Sequence, residues 1–315
     1  MSTTYGLPYK GSKNTIGEFV YNTIYNNPLN GKKEYTHFYD VFGGGGAITH
    51  IMLEKSTIPH IHINDRLKIV EVFMAFATNT FEQQFGSLDK HCLYTREQYK
   101  AKIEKEGWTV ENVWLSIIYG FNSTLGHSYG FGENNMERNL YYARTFLKAV
   151  NKQGLSLTEA LQEDKNIVEL YKQYTGENCD HYLVRILQRI KRCVCIASSL
   201  KDKDVEHRLT YSELDYKDLK IEAGSLAYLD PPYFNKSGYD YKQGRLKQKD
   251  FDYNEFYKWC EDLADRCDVY MSSLEAPEHW ELVAERLASF SFGTHSGAGG
   301  SVKCQEKIFR PRRAK

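Results

Sequence analysis

Apolar residues follow two different periods along this chain, and each period predicts one kind of element. Short apolar runs with the length of buried strands occur at residues 35–42, 60–65, 193–198, 226–230, 269–273 and 307–310. Apolar residues at helical spacing occur at residues 16–24, 47–54, 67–77, 256–264 and 278–287. Because strands and helices alternate, we expect an α/β fold built on a doubly wound sheet of mainly parallel strands.

The middle of the chain, from about residue 81 to residue 180, breaks this alternation. Residues 95–106 and 155–174 have helical patterns that are largely polar, and a loop rich in glycine and asparagine lies between them. We therefore predict a mostly helical insertion at 81–180, within an α/β domain formed by residues 1–80 and 181–315.

The composition indicates a soluble globular protein, with 41% hydrophobic and 26% charged residues. The 41 basic and 41 acidic residues cancel, which argues mildly against a nucleic-acid partner held by bulk charge alone. The apolar run near residues 113–121 is too short to cross a bilayer, and the first residues lack the pattern of a secretory signal. We expect a cytoplasmic protein without a membrane segment.

The seven cysteines are scattered and never spaced as Cys-x-x-Cys, which favours small buried side chains over metal ligands or disulfides. Cys193 and Cys195 alternate in a predicted strand, so we expect both thiols on one face. His60 and His62 alternate in the same way without cysteine or acidic partners, which favours packing. The sequence predicts no metal site.

One tetrapeptide carries the strongest chemical signal, because the predicted strand at 226–230 ends in Asp230-Pro231-Pro232-Tyr233. Ligands of open α/β sheets bind at the carboxyl ends of strands. Here the carboxylate of Asp230 and the carbonyl of Pro231 could accept both hydrogens of an exocyclic amine, and Tyr233 could stack on a base. The alternative is a simple turn at the end of a strand, with an exposed aspartate.

Two further signals follow the first two predicted strands. Asp40-Val41-Phe42 leads into Gly43-Gly44-Gly45-Gly46, and consecutive glycines let a backbone turn tightly and approach a bound molecule before a helix begins. Asp65 ends the second strand, where a carboxylate can accept hydrogen bonds from ribose hydroxyls. The alternative role for Asp65 is an N-cap of the helix that follows.

Two weaker signals complete the set. Tyr9-Lys10-Gly11-Ser12-Lys13 opens the first helix, where lysine and backbone amides can hold a carboxylate. Asp215 and Tyr216 precede the tetrapeptide by fifteen residues, and they could bracket a purine ring or form an exposed turn.

These motifs, in this order, resemble the Dam-type family of DNA adenine-N6 methyltransferases of bacteria and phages, in the group whose cofactor motifs precede the insertion and the Asp-Pro-Pro-Tyr motif. The resemblance covers about two thirds of the chain and extends to Tyr119-Gly120-Phe121-Asn122. It implies a Rossmann-like methyltransferase sheet, S-adenosylmethionine as cofactor, and a cofactor site formed by Tyr9, Lys10, Lys13, Asp40, Phe42, Gly43, Gly44, Gly45, Gly46, Asp65, Asp215 and Tyr216. Tyr9, Lys10 and Lys13 would lie near the methionine end of the cofactor.

The resemblance also implies double-stranded DNA as partner, with the insertion at 81–180 as the DNA-recognition domain, in a bacterial or phage-infected cell. We expect base-edge or phosphate contacts from Asn122, His127, Tyr129 and Arg138 in the central loop. A basic run at 236–249 follows the tetrapeptide, so we expect its Lys242, Arg245 and Lys247 to contact the DNA backbone.

The target amine is inaccessible inside a duplex, so the resemblance implies base flipping, with Tyr233 stacked on the extruded adenine. Where relatives that read GATC have an Asn-x-Pro-Phe-Gly-like stretch, this chain has residues 126–132, which leaves the recognition sequence open. The alternatives are a cytosine-N4 methyltransferase, a glutamine methyltransferase and a catalytically silent DNA-binding relative. Both an orphan enzyme and a restriction-modification enzyme with an endonuclease partner fit the pattern.

Overall fold

The computed structural model describes residues 5–9, 11–26, 34–120, 136–179, 181–232, 251–292 and 300–312. The strands are β1 His37–Asp40, β2 His60–Asn64, β3 Leu209–Ser212, β4 Leu226–Leu229, β5 Asp268–Ser273, β6 Glu281–Phe292 and β7 Gly300–Arg310. A short 3-10 helix spans Lys13–Thr15, and the α-helices are α1 Gly17–Ile24, α2 Ala47–Lys55, α3 Ile69–Ala77, α4 Phe81–Phe85, α5 Leu88–His91, α6 Arg96–Glu106, α7 Val110–Tyr119, α8 Met136–Lys152, α9 Leu157–Gln162, α10 Ile167–Thr175, α11 His181–Leu200, α12 Val205–Arg208 and α13 Tyr253–Ala264.

Contacts between residues divide the chain into two units. The sheet unit contains residues 13–43, 47–66 and 207–315, and it holds all seven strands. The helical unit contains residues 1–12, 44–46 and 67–206. The predicted insertion at 81–180 lies inside this helical unit, which also includes α3 and α11.

The sheet has seven strands in the order β3-β2-β1-β4-β5-β7-β6. Strands β1 to β5 are parallel to one another, and β7 runs antiparallel to both β5 and β6. The order reverses at β1, which lies between β2 and β4, so the switch point of the sheet lies between β1 and β4. This mixed α/β architecture, with a mostly parallel sheet, is compatible with a Rossmann-like fold, and it confirms the predicted sheet at this level.

The position of β4 inside the sheet accounts for its apolar sequence. All four of its residues are buried, as expected for a parallel strand covered on both faces. Helix α13 packs Phe256, Cys260 and Leu263 against Leu229 and neighbouring strand residues in one apolar cluster. The Asp252 side chain fixes the beginning of α13 by accepting hydrogen bonds from the backbone amides of Asn254 and Glu255.

The prediction of a strand at residues 193–198 is wrong, because these residues belong to the twenty-residue helix α11. The buried positions of this helix recur at helical spacing through Leu183, Ile186, Leu187, Ile190 and Cys193. Cys193 is therefore buried while Cys195 is exposed, and the two thiols do not share a face as expected. Cys92, Cys260 and Cys267 are buried as predicted for small apolar side chains.

The prediction of a helix at residues 278–287 is also wrong, because residues Glu281–Phe292 form the edge strand β6. The sequence Glu-Leu-Val-Ala-Glu-Arg-Leu has a high helix propensity. Its pairing with β7, from Glu281 opposite Arg310 to Phe292 opposite Gly300, supplies backbone hydrogen bonds that outweigh this preference.

Two arginines of α11 form hydrogen bonds with backbone carbonyls inside the helical unit. The Arg189 guanidinium donates to the carbonyls of Ile118 and Gly120 at 2.6 and 3.1 Å, and burial lowers its pKa to about 10. Arg192 donates to the carbonyls of Tyr5 and Gly6 at 2.7 and 3.0 Å, which ties the N-terminal segment to α11.

None of the helices within the described ranges is long and apolar enough to span a membrane.

Candidate active site at the carboxyl edge of the sheet

Three aspartates lie at the carboxyl ends of three adjacent strands. Asp40 is the last residue of β1, Asp65 follows β2 and Asp230 follows β4, and β1 lies between the other two strands. The charges of Asp230 and Asp65 both act on Asp40 and contribute to the rise of its pKa. The topology thus brings together carboxylates that are far apart in sequence, at the switch point where α/β sheets bind ligands.

Asp40 is buried in the sheet unit, with 2% of its surface exposed. Its Oδ2 accepts hydrogen bonds from the backbone amide and the hydroxyl of Thr49, at 3.2 and 2.8 Å, in the first turn of α2. Burial raises the pKa of Asp40 to about 7, although the bonds from Thr49 act in the opposite direction. Asp40 therefore holds the beginning of α2 close to the end of β1.

This raised pKa predicts a specific pH dependence of stability. The carboxyl binds its proton more tightly in the folded chain than in the unfolded one, so its contribution to stability is largest below about pH 4 and is lost as the pH rises to about 7. An asparagine can accept the same bonds from Thr49 without a charge. We expect the free energy of unfolding of Asp40→Asn, relative to wild type, to rise by roughly 2–4 kcal/mol across this window.

Urea unfolding of both proteins at several pH values between about 4 and 8 measures this difference. Parallel stability curves for wild type and Asp40→Asn would show that the Asp40 pKa is not raised.

Asp230 pairs with a buried lysine. The Lys13 ammonium lies 2.7 Å from Asp230 Oδ1 and 3.4 Å from Glu306 Oε1, and the side chains of the three residues are 7%, 17% and 0% exposed in the order Lys13, Asp230 and Glu306. Burial alone would lower the pKa of Lys13, but the charges of Asp230 and Glu306 outweigh it and the pKa is raised. Lys13 therefore stays charged, and Asp230 is not the exposed aspartate of a simple turn.

The two prolines continue from Asp230 into the sheet unit. Pro231 is buried and Pro232 is half-buried. The Tyr253 hydroxyl at the beginning of α13 donates to the carbonyl of Pro232. This bond ties the backbone after Asp230 to the helix that packs on the sheet.

Asp65 does not cap the helix that follows it. Helix α3 begins at Ile69 with Lys68 in the cap position, so the alternative role as an N-cap is wrong. The Asp65 amide donates to the Ser212 carbonyl at 3.2 Å, and the preceding Asn64 donates through its side chain to the carbonyls of Val41 and Leu214. These bonds fix the ends of β1, β2 and β3 relative to one another and leave the half-buried Asp65 at the carboxyl edge.

The glycine turn needs glycine at both of its ends. A Cβ on Gly43 would lie 2.3 Å from Ile63 Cγ1, and Gly43 donates from its amide to the Asn64 carbonyl at 2.7 Å. Gly46 has a φ of +72°, and a Cβ there would lie 2.5 Å from the Phe73 ring. Within the helical unit, the Tyr9 ring lies beside Gly44 and Gly45, so the structure brings two predicted cofactor segments together.

Asp215 and Tyr216 occupy a turn that is more buried than expected. Tyr216 is 6% exposed and packs against Phe42 and Phe256 with ring centroids 5.8 and 5.2 Å apart. Burial raises the pKa of the Tyr216 hydroxyl. Asp215 lies 3.3 Å from the Arg66 guanidinium. The alternative of an exposed turn is therefore wrong for Tyr216.

Several predicted site residues lie outside the described residues, namely Lys10, Asn122, His127, Tyr129, Tyr233, Lys242, Arg245 and Lys247. The placement of Arg138 in a loop is wrong, because Arg138 lies in α8. It is exposed there, and its guanidinium carbon lies 5.7 Å from the centre of the Tyr142 ring.

Glu306 is a fully buried carboxylate beside Lys13 that the sequence did not mark as a candidate. In a strand alternate residues share a face, so Glu306 shares a face with the buried Ile308 in β7. An acid on a buried strand face needs a cation, and this requirement could have marked Glu306 as a candidate.

Within the part of the chain that the structure describes, no group of three or more His, Cys, Asp or Glu side chains could hold a metal ion. No protein-family model and no curated protein sequence matches this chain.

Proposed function

We propose that this protein is a site-specific DNA adenine-N6 methyltransferase that uses S-adenosylmethionine. The observation that carries the proposal is the position of Asp230-Pro231-Pro232 at the carboxyl end of β4, beside the strand whose end leads into the glycine turn. This position supports the proposal, because the Asp230 carboxylate and the Pro231 carbonyl, at the switch point of a mostly parallel sheet, could accept both hydrogens of an exocyclic amine.

The residues at this edge fit the cofactor. Asp65 is not used as a helix cap, and it lies at the end of β2, where a carboxylate can bind ribose hydroxyls. Gly43 and Gly46 allow the backbone after β1 to turn where a side chain would collide with Ile63 or Phe73. When bound, S-adenosylmethionine would supply an electrophilic methyl group next to Asp230. By the resemblance, Phe42, Asp215 and Tyr216 would complete the part of the site that lies in the sheet unit.

The residues around Asp230 can activate a poor nucleophile. The N6 lone pair of adenine is delocalised into the ring, so the amine reacts only when its geometry is drawn toward tetrahedral. The Asp230 carboxylate and the Pro231 carbonyl would accept its two hydrogens, which localises and orients the lone pair. Because the Pro232 carbonyl accepts a bond from Tyr253, the backbone that presents Pro231 is fixed.

In this proposal the helical unit recognises the DNA sequence. A catalytic sheet can contact the flipped base and nearby phosphates, but discrimination between neighbouring base pairs needs side chains that reach the groove edges. Arg189 fixes the end of α7, and residues Asn122, His127 and Tyr129 come shortly after α7 in the sequence. Arg138 is exposed at the beginning of α8, where it could contact a phosphate or a base.

We expect Asp65→Ala to weaken S-adenosylmethionine binding by about 10- to 100-fold, because a charge-assisted hydrogen bond to a ribose hydroxyl is worth roughly 1.5–3 kcal/mol. Isothermal titration with the cofactor measures this change.

The matched control is Asn166→Ala, which removes a real N-cap from α10. It should lower the free energy of unfolding by about 1 kcal/mol and leave the cofactor affinity unchanged. If Asp65→Ala behaves like this control, Asp65 serves stability and not the cofactor.

The proposed function is tested by sequencing DNA, with base-modification detection, from cells that express the wild-type protein or Asp230→Asn. We expect N6-methyladenine at one recurring sequence with the wild type and none with the variant. Marks on N4 of cytosine would favour the cytosine enzyme, and cofactor binding without any mark would favour a silent DNA-binding protein.

A further inference from the structure

A buried ion triad joins three elements of the sheet unit at the proposed catalytic carboxylate. Lys13 begins the 3-10 helix, Asp230 follows β4, and Glu306 lies in β7. The Lys13 ammonium bridges the two carboxylates, at 2.7 Å from Asp230 Oδ1 and 3.4 Å from Glu306 Oε1. Glu306 is fully buried, so its charge is balanced by side chains and not by bulk water.

The net charge of this triad determines how strongly Asp230 can stabilise a positive charge on a neighbouring group. A Lys13–Asp230 pair alone would be neutral, and the ammonium would offset the negative charge that Asp230 presents to another group. The Glu306 carboxylate shares the same ammonium and leaves the triad with one net negative charge. Inside a protein, a net charge a few ångströms from another charged group changes the electrostatic interaction energy with that group strongly.

A net negative charge at Asp230 would favour methyl transfer to the adenine amine, because the amine becomes positively charged during the reaction. The nitrogen lone pair forms the new C–N bond as the C–S bond of the sulfonium breaks, and the nitrogen carries a positive charge until it loses a proton to solvent. We propose, on the basis of the proposed function, that Glu306 is a positioning residue that holds and neutralises Lys13, so that the triad presents one net negative charge to the amine at Asp230.

The other groups that face this triad are consistent with that role. Tyr228 in β4 is buried, its hydroxyl donates to Ser272 at 2.7 Å, and burial together with the charge of Asp230 raises its pKa well above the usual value, so it stays neutral. The negative charges of Asp230 and Asp65 contribute to the raised pKa of Asp40 in β1. The Lys13 ammonium forms an ion pair with Asp230 at 2.7 Å.

Glu306→Gln tests the inference, because glutamine keeps the size and an acceptor oxygen for Lys13 while it removes the charge. We expect kcat for DNA methylation to fall by about 10- to 100-fold, with the S-adenosylmethionine Kd changed by less than about threefold. The acidic limb of the kcat–pH profile that reports Asp230 should move to lower pH, since a neighbouring negative charge is gone.

The matched control is Glu281→Gln in the same hairpin, which removes a carboxylate 2.7 Å from the Arg310 guanidinium and away from Asp230. It should leave kcat and the pH profile unchanged.

Four outcomes overturn the inference. If the wild type is active and Glu306→Gln has the same kcat, this inference is wrong and the proposed function stands. The same conclusion follows if the kcat of Glu306→Gln falls in proportion to its affinity for the cofactor. A lower melting temperature with reduced kcat and an unmoved acidic limb would show a structural role only. A wild type that transfers no methyl group to DNA overturns the proposed function and this inference together.

Discussion

Replacing Asp230 with asparagine is expected to reduce methyl transfer by at least about a thousandfold, while S-adenosylmethionine affinity changes by less than about tenfold. The carboxylate would contact the target amine and not the cofactor, so its loss should act on the reaction step. Asparagine keeps the shape but presents its own N–H groups, and it lacks the negative charge that would stabilise the positive charge developing on the amine.

Single-turnover methylation and cofactor titration measure the two quantities separately. The matched control is Asp268→Asn at the beginning of β5, the opposite end of the same sheet, where the carboxylate accepts a bond from the Tyr35 hydroxyl at 2.8 Å. This control should leave both quantities unchanged. Equal losses of cofactor affinity and turnover in Asp230→Asn would assign Asp230 to the cofactor.

Gly46→Ala is expected to produce the largest loss of stability at the glycine turn. Its Cβ would lie 2.5–2.7 Å from three atoms of the Phe73 ring, a side chain that is fully buried and cannot move aside. The backbone also has a φ of +72°, which an alanine adopts at a cost of about 1–2 kcal/mol. Strain and overpacking together should lower the free energy of unfolding by roughly 3–5 kcal/mol.

Gly176→Ala separates these two causes, because Gly176 has a φ of +76° and nothing within 4 Å of the position of a new Cβ. Urea unfolding should show a loss of about 1–2 kcal/mol for this control. If the two variants lose equal stability, the contact with Phe73 contributes nothing and the turn tolerates a side chain.

The parts of the fold that are encoded locally could be predicted from the sequence. The apolar run of β4 reflects burial on both faces, and the helical pattern at 95–106 is confirmed as α6, which begins after the N-cap Thr95. The helical pattern at 155–174 is confirmed only in part, because Ser156 and Asn166 are the N-caps of two separate helices, α9 and α10. Asp40, Asp65 and Asp230 could be predicted as one cluster because each ends a strand of a parallel sheet, and the carboxyl ends of such strands meet at one edge.

The parts that depend on distant partners could not be predicted in this way. Strand β6 has a helix-forming sequence, and its pairing with β7 decides the outcome. The helix α11 contains a Cys-Val-Cys-Ile stretch that alternates like a strand, and the packing of its other residues decides its form. Glu306 matters through Lys13, which lies almost three hundred residues earlier in the chain.

The most direct test of the central claim uses purified protein, double-stranded DNA and S-adenosylmethionine with a deuterated methyl group. After digestion of the DNA to nucleosides, mass spectrometry identifies which base carries the label. We predict deuterated N6-methyldeoxyadenosine with the wild-type protein and none above background with Asp230→Asn. Label on cytosine, label on protein alone, or no transfer by a folded wild type that binds the cofactor would contradict the proposed function.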